Sequence, residues 1–483
     1  MEQQSINIYS AELEIKKATI INFISKYSNI IVQLILNSIL ARILTPDDYG
    51  IVAVITVFIS FFTLIAEMGI GPSIVQNRDL TDEDLSNIFI FTLIMAVVIS
   101  LGFVIFSYPL SIFYKDRVYI SLGSILAIGI FFNVLNIVPN ALLRKNKQFK
   151  SLGIRTVIIN TLCGFFTIIL AINGAKYYSL VINTSLVGFL TFILNLYYSK
   201  MSIYYKFSFS SVRKIKEYSS YQFAFDFINY FSRNLDNLLV GKLMGQIMLG
   251  YYDKAYRLML YPVQNLTHVI TPVLHPILSD YQHNREVIYD QYIKIVKLLS
   301  LIGVFFSVFC YFSADEIINI MFGPQWSMSI NSFKILSISI CFQMVLSSSG
   351  SIFQATNETK RMFLAGTIGA ISNISAIIIG VYLGKIEFVS IGIVIAYIIN
   401  FASGFYILIK KVFNKKFIGY LLIFKSSLII AVIASLSCII FKIKINNVII
   451  SILYKFMICL IGYMLGLIMT KEYKFVFSIL KKM

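Results

Sequence analysis

The chain has 483 residues, of which 58% are hydrophobic and 13% charged, and its mean hydropathy is +0.80. Soluble domains carry about 25% charged residues, so a water-soluble fold, which must cover its surface with polar groups, is excluded. The formal net charge of +18 does not indicate a nucleic-acid partner, because the Lys and Arg residues are spread over many loops rather than gathered into one basic domain.

The polar N-terminus, Met1–Lys17, carries no cleavable signal, so the first apolar helix is expected to persist in the mature protein. Charge-free blocks such as Ile51–Ile65, Ile88–Phe106, Ile391–Ile409 and Ser426–Phe441 approach the roughly 20 residues that cross a bilayer. In chain order the predicted spans are 18–40, 49–71, 86–108, 118–140, 153–173, 177–199 and 217–240, then 254–278, 292–313, 330–356, 361–384, 387–409, 418–441 and 446–469. This is an all-α integral membrane protein of about 14 helices. The eighth span is the most irregular, with Pro262, Pro272 and Pro276 inside it and a charged start.

Lys and Arg crowd alternate loops. Lys16 and Lys17, Arg144 to Arg155, Lys200 to Lys216, Lys360 and Arg361, Lys410 to Lys416 and Lys471 to Lys482 fall on one side. The opposite side has isolated cations such as Lys115, Lys176 and Lys385. Positive residues are retained in the cytoplasm, so both termini are predicted there and the number of spans is even. No loop is long enough for a soluble domain. The longest outward one, about 313–329, carries Trp326, expected as an interfacial anchor. The five cysteines lie in apolar segments without metal-ligand spacing and read as small packing residues.

A shift of 200 residues aligns Phe23 with Phe223, Asn29 with Asn229, Asn37 with Asn237 and Gly50 with Gly250. It also maps six spans onto six. Two pseudo-symmetric six-helix halves, 1–207 and 208–412, are therefore expected around a central cavity, followed by two additional helices and a basic tail in 413–483.

Polar residues inside these spans are ordered. Asn22, Lys26, Asn29, Gln33 and Asn37 recur at intervals of 3 or 4, as do Gln222, Asp226, Asn229, Arg233 and Asp236. At 3.6 residues per turn each set forms one stripe. Lys254, Arg257, Tyr261, Gln264 and His268 share a face of the eighth span, Asn133 and Asn136 sit in the fourth, and Lys334 in the tenth. For the amides, interhelical hydrogen bonding and a cavity lining are equally good readings. For Lys26, Asp226, Arg233 and Arg257 a water-filled cavity is favoured, since an intramembrane charge costs about 2.5–3.5 kcal/mol. The inferred substrate-binding set is Lys26, Asn29, Gln33, Asn133, Asp226, Asn229, Arg233, Arg257, Gln264 and Lys334. Lys425 and Lys455 are read as snorkelling to the interface. Amides and aromatic hydroxyls suit sugars, while Arg and Lys suit phosphate.

The runs LTPDDYGIVAVITVF (44–58), EMGIGPSIVQNRDLT (67–81), RNLDNLLVGKLMG (233–245), LGYYDKAYRL (249–258) and FGPQW (322–326) resemble the polysaccharide flippases of the multidrug/oligosaccharidyl-lipid/polysaccharide exporter superfamily. The resemblance is to the Wzx-type exporters of O-antigen, colanic acid and teichuronic acid, and it covers nearly the whole chain. It implies two six-helix bundles with the last two helices outside, and a polyprenyl-pyrophosphate-linked oligosaccharide as substrate. It further implies the bacterial inner membrane, no cofactor, and a polysaccharide polymerase and chain-length regulator in the same pathway. A cation-coupled drug antiporter of the same architecture is the alternative; its cavity would be dominated by carboxylates. A polymerase or glycosyltransferase is disfavoured, because the chain has no G-x-x-x-x-G-K-[ST] loop and no H-E-x-x-H helix. Asp82–Glu83–Asp84 reads as a solvated loop rather than a metal site, and no catalytic or metal-binding residue is assigned.

Overall fold

A computed structural model describes residues 26–67, 69–77, 79–146, 148–202, 204, 208, 230, 234–279 and 284–480. The chain divides into two compact units, Met1–Asn234 and Leu235–Met483. Among the described residues, ten helices are long and apolar enough to cross a membrane. The count becomes eleven when Met328–Ser337 and Ile340–Ala355, bent by 48° to each other, are taken as one broken span. The expected first and seventh spans run into residues outside the described ones.

The first unit contains α1 (26–43), α2 (Pro46–Glu67), α3 (Ile70–Gln76), α4 (Asp82–Tyr114), α5 (Val118–Leu135), α6 (Ile137–Lys145), α7 (Phe149–Ile172) and α8 (Tyr177–Ser199). Two of its starts follow from one device. Asp48 Oδ2 accepts from Thr45 N at 2.9 Å while Thr45 Oγ1 accepts from Asp48 N at 3.2 Å. Thr81 and Asp84 repeat the exchange at 3.1 and 3.2 Å. Each capping box satisfies donors that the first helical turn leaves open. Pro46 occupies a first-turn position where no N–H is needed. The acidic run at 82–84 is thus the first turn of α4, with carboxylates placed at the positive end of the helix.

In the second unit, α9 (234–243) and α10 (Gln246–Ser279) precede α11 (Arg285–Phe312), α12 (Ala314–Met321), α13 (Met328–Ser337), α14 (Ile340–Leu346) and α15 (Ser349–Ala355). Then come the hairpin α16 (Thr359–Tyr382) and α17 (Ile386–Tyr406), a π turn at Ile407–Val412, α18 (Phe417–Leu421), α19 (Phe424–Ile440), α20 (Val448–Met469) and α21 (Tyr473–Leu480). The α16–α17 hairpin closes tightly at Gly380, where a Cβ would stand 2.6 Å from Val389 Cα.

Three placements correct the sequence reading. Trp326 is no interfacial anchor: it is fully buried, 5.9 Å from each of the Tyr251 and Phe322 rings. Gly323, at φ +97°, turns the chain so that the short Pro324–Trp326 helix tucks in, and Ser329 Oγ donates to Tyr251 O at 2.8 Å. Two of the recognised sequence runs therefore form one packing knot. Lys455 does not snorkel; it reaches Glu316 of α12 at 2.6 Å. Asp236 does not belong to an open polar stripe, because it is buried and accepts from Tyr252 Oη at 2.8 Å.

Candidate functional site

In the first unit, the α1 row presents Lys26 and Gln33 as exposed residues and Asn29 as half-buried. Asn29 Oδ1 accepts from Asn160 Nδ2 of α7 at 2.8 Å, so one amide of the row already binds a neighbouring helix. Asn133 is half-buried on α5 at its seam with α8, where a Cβ on Gly188 would stand 3.0 Å from Asn133 Oδ1. One turn further, Asn195 Nδ2 of α8 donates to Asn136 Oδ1 at 2.5 Å. The amides at these seams bond across helices, and among Lys26, Asn29 and Gln33 the one charge is the Lys26 ammonium.

Arg155, read in sequence as a loop cation, is 6% exposed within α7, and its Nε and Nη1 have no hydrogen-bond partner among the described residues. A buried guanidinium without a counter-charge is costly.

In the second unit, Arg257 and Gln264 are exposed along α10, two turns apart. Asp253, one turn back, takes both of its carboxylate contacts from Arg257 Nε, at 2.7 and 2.9 Å. Lys254, placed on the same face by sequence, is instead buried, with Nζ 5.0 Å from the Phe322 ring centroid and 5.7 Å from that of Trp326. Tyr256 and Tyr397 share a hydroxyl contact at 3.1 Å between α10 and α17. Lys334 is half-buried with Nζ 5.0 Å above the Tyr311 ring. Asp226, Asn229 and Arg233 lie outside the described residues.

Tyr311 connects Lys334 to a cavity that sequence reading did not find. About 540 Å3 is enclosed between α11, α14 and α19, with walls from Val304, Val308, Phe342, Phe424 and Ala431. Ile338, Leu421 and Leu428 on its margin are exposed. Its few polar groups are hydroxyls, and Ser300 and Ser427 already satisfy each other at 2.8 Å. Such a surface suits a hydrocarbon chain, with a cation and a phenol at one margin. The apolar residues of α11 and α19 carried no separate signal, since every lipid-facing helix looks alike in composition.

The family described as polysaccharide biosynthesis protein matches residues 39–331. The lipopolysaccharide biosynthesis protein WzxC of Escherichia coli (strain K12) is 23% identical over 80% of this chain and 79% of its own. The teichuronic acid biosynthesis protein TuaB of Bacillus subtilis (strain 168) is 22% identical over 69% of each. Among solved structures, the lipid II flippase MurJ in an inward closed conformation superposes with a TM-score of 0.74 at 17% identity, over 94% of this chain and 99% of that one. The chain therefore has that flippase's fold.

Proposed function

The chain belongs to the polysaccharide biosynthesis protein family, and from that premise we propose that it is a flippase. Its substrate is a polyprenyl-pyrophosphate-linked oligosaccharide, moved across the bacterial inner membrane for surface polysaccharide assembly. The observation that carries this reading is the likeness in fold to a lipid flippase over 94% of the chain, in a chain whose family is one of polysaccharide biosynthesis.

The chemistry of each part fits a three-part ligand. The amide row with Lys26 offers hydrogen bonds to sugar hydroxyls. Arg257 presents an exposed guanidinium, held at one nitrogen by Asp253 and so oriented for phosphate oxygens. The apolar cavity along α19 takes the polyprenyl tail. In this reading 14 spans with cytoplasmic termini, two six-helix halves followed by two C-terminal helices, expose the headgroup to each side of the membrane in turn. A drug antiporter would need a carboxylate for its cation. The described α1 row has none, and Asp253 is occupied by Arg257.

Deletion of the gene tests this reading. Surface polysaccharide should disappear, and the lipid-linked oligosaccharide should accumulate on the cytoplasmic face, inaccessible to a lectin added to spheroplasts. Restoration by the intact gene should reverse both. Normal display of polysaccharide in the deletion, with altered drug sensitivity in its place, would overturn the assignment in favour of the antiporter.

A further inference from the structure

A second cavity shares no lining residue with the one assigned to the polyprenyl tail, although both touch α17 near Phe401–Ser403. A groove of about 610 Å3, open to the surface, lies where the start of α16 meets the end of α17. Leu364, Ile368, Ile407 and Phe417 form apolar walls, and Arg361 and Lys411 stand on the same lining. An apolar slot with a cationic edge, at the end of a hairpin that crosses the bilayer, has the two halves of an amphiphile built into it.

The backbone explains why the cations are held there. The helix α17 does not end at Tyr406 but widens into the π turn Ile407–Val412, a rare feature that recurs at functional sites. The turn presents carbonyls sideways. Arg361 Nη1 donates to Lys411 O and, at 3.0 Å, to Glu358 Oε1. Arg285 Nη1 donates to Val412 O at 2.9 Å, and its Nη2 to the same Glu358 oxygen at 3.0 Å. One carboxylate thus serves two guanidiniums. Glu286 is taken by Lys415 at 2.9 Å, which raises the Lys415 pKa. Lys410 lies against Tyr406, Nζ to Oη 3.1 Å. Among the described residues Lys411 Nζ makes no hydrogen bond or ion pair, and neither does the second terminal nitrogen of Arg361. The edge is left net cationic, with donors to spare.

We propose that this slot binds an anionic glycerophospholipid of the bilayer, its phosphate between Arg361 and Lys411 and an acyl chain against Leu364, Ile368 and Phe417. Lys and Arg mark this end of the hairpin as cytoplasmic, the leaflet whose anionic lipids draw basic pockets between helices. The bound lipid bridges α16 to the π turn, so it tightens the same junction that Arg361 closes through Glu358.

Native mass spectrometry of the purified full-length protein tests this, with phosphatidylglycerol, phosphatidylcholine and a polyprenyl phosphate titrated separately. Phosphatidylglycerol should bind at least tenfold more tightly than phosphatidylcholine. Lys411→Gln removes no side-chain hydrogen bond or ion pair among the described residues, and it should weaken phosphatidylglycerol about fivefold; adding Arg361→Gln should bring the loss to about 25-fold. Polyprenyl phosphate binding should be unchanged, and Lys442→Gln with Lys444→Gln, at the α19–α20 turn, should leave all three lipids unaffected. The proposal is overturned if both cavity variants bind phosphatidylglycerol as the parent does. It is equally overturned if polyprenyl phosphate is the ligand that weakens, since the slot would then belong to the transported substrate. Loss of polysaccharide display is not the readout, so a wrong assignment of transport leaves this result intact.

Discussion

Replacing Lys455 by Met should destabilise the protein more than replacing Lys455 and Glu316 together. The Lys455 ammonium lies 2.6 Å from Glu316 Oε1 and 2.8 Å from its Oε2, and it donates to Phe312 O at 2.9 Å. Ser451 Oγ adds a bond to the carboxylate at 2.7 Å. The two side chains are 26% and 11% exposed. Breaking a buried pair by removing one partner costs about 3–5 kcal/mol, whereas exchanging both for apolar groups is often neutral. Because Lys455 is a quarter exposed, the low end applies, about 3 kcal/mol. Neutral interhelical hydrogen bonds in membranes average about 0.6 kcal/mol, so the two explanations are well separated. The assay is unfolding of the purified full chain from mild detergent into SDS, for Lys455→Met, Glu316→Leu and the double variant. A coupling free energy above about 2 kcal/mol is expected. Coupling at or below the neutral value, or a double variant worse than either single, would refute the ion-pair account. The consequence is mechanical. The pair fastens one end of α20 to α12, and Lys297 with Glu472 at 2.7 Å fastens the other end to α11. The helix behind α19 is thereby fixed, and the apolar cavity keeps its wall.

What sequence could show divides along a physical line. The bilayer imposes length and polarity on each helix separately, so apolar helices long enough to cross it were legible from local pattern, whereas the caps went unread and the 82–84 run was taken for a loop. The T-x-x-D spacing at Thr45–Asp48 and Thr81–Asp84 is a capping signal that needs no partner elsewhere. The 200-residue shift is a pattern of the sequence alone, since most of the seventh span it aligns lies outside the described residues. The Asp253–Arg257 pair could also have been predicted from its i, i+4 spacing. Contacts between helices were not legible. Periodicity names the polar face of a helix but not the group opposite it, so Lys455 could not be matched to Glu316, 139 residues away. Trp326 and Lys254 failed for the same reason, since each is buried by the other's motif. Of the candidate site, the Asn29 row was legible as a face, but its bond to Asn160 was not.

Gly380→Val should sharply reduce the amount of folded protein, because its side chain would meet Val389 backbone at 2.6 Å at an overpacking cost of about 1–3 kcal/mol; Gly366→Ala, with no atom within 4 Å, is the control in a membrane-abundance assay. Arg257→Ala should change stability by less than about 1 kcal/mol, since its side chain is 56% exposed and the pair is surface-like, yet surface polysaccharide should be lost; normal display would remove Arg257 from the site. Arg155→Met should act in the opposite sense to most buried substitutions. The residue is 6% exposed, and two of its guanidinium nitrogens have no hydrogen-bond partner among the described residues. It therefore carries a desolvation cost that hydrogen bonds at those two nitrogens do not offset. Methionine retains a long flexible stem without the charge, so the same SDS titration should show equal or greater stability. A residue kept at such a cost earns its place only through a second state of the protein in which an anion reaches it, and surface polysaccharide should fall although the fold is firmer. A destabilised Arg155→Met would instead show that the guanidinium is satisfied in the resting protein, and the argument from its orphaned nitrogens would fail.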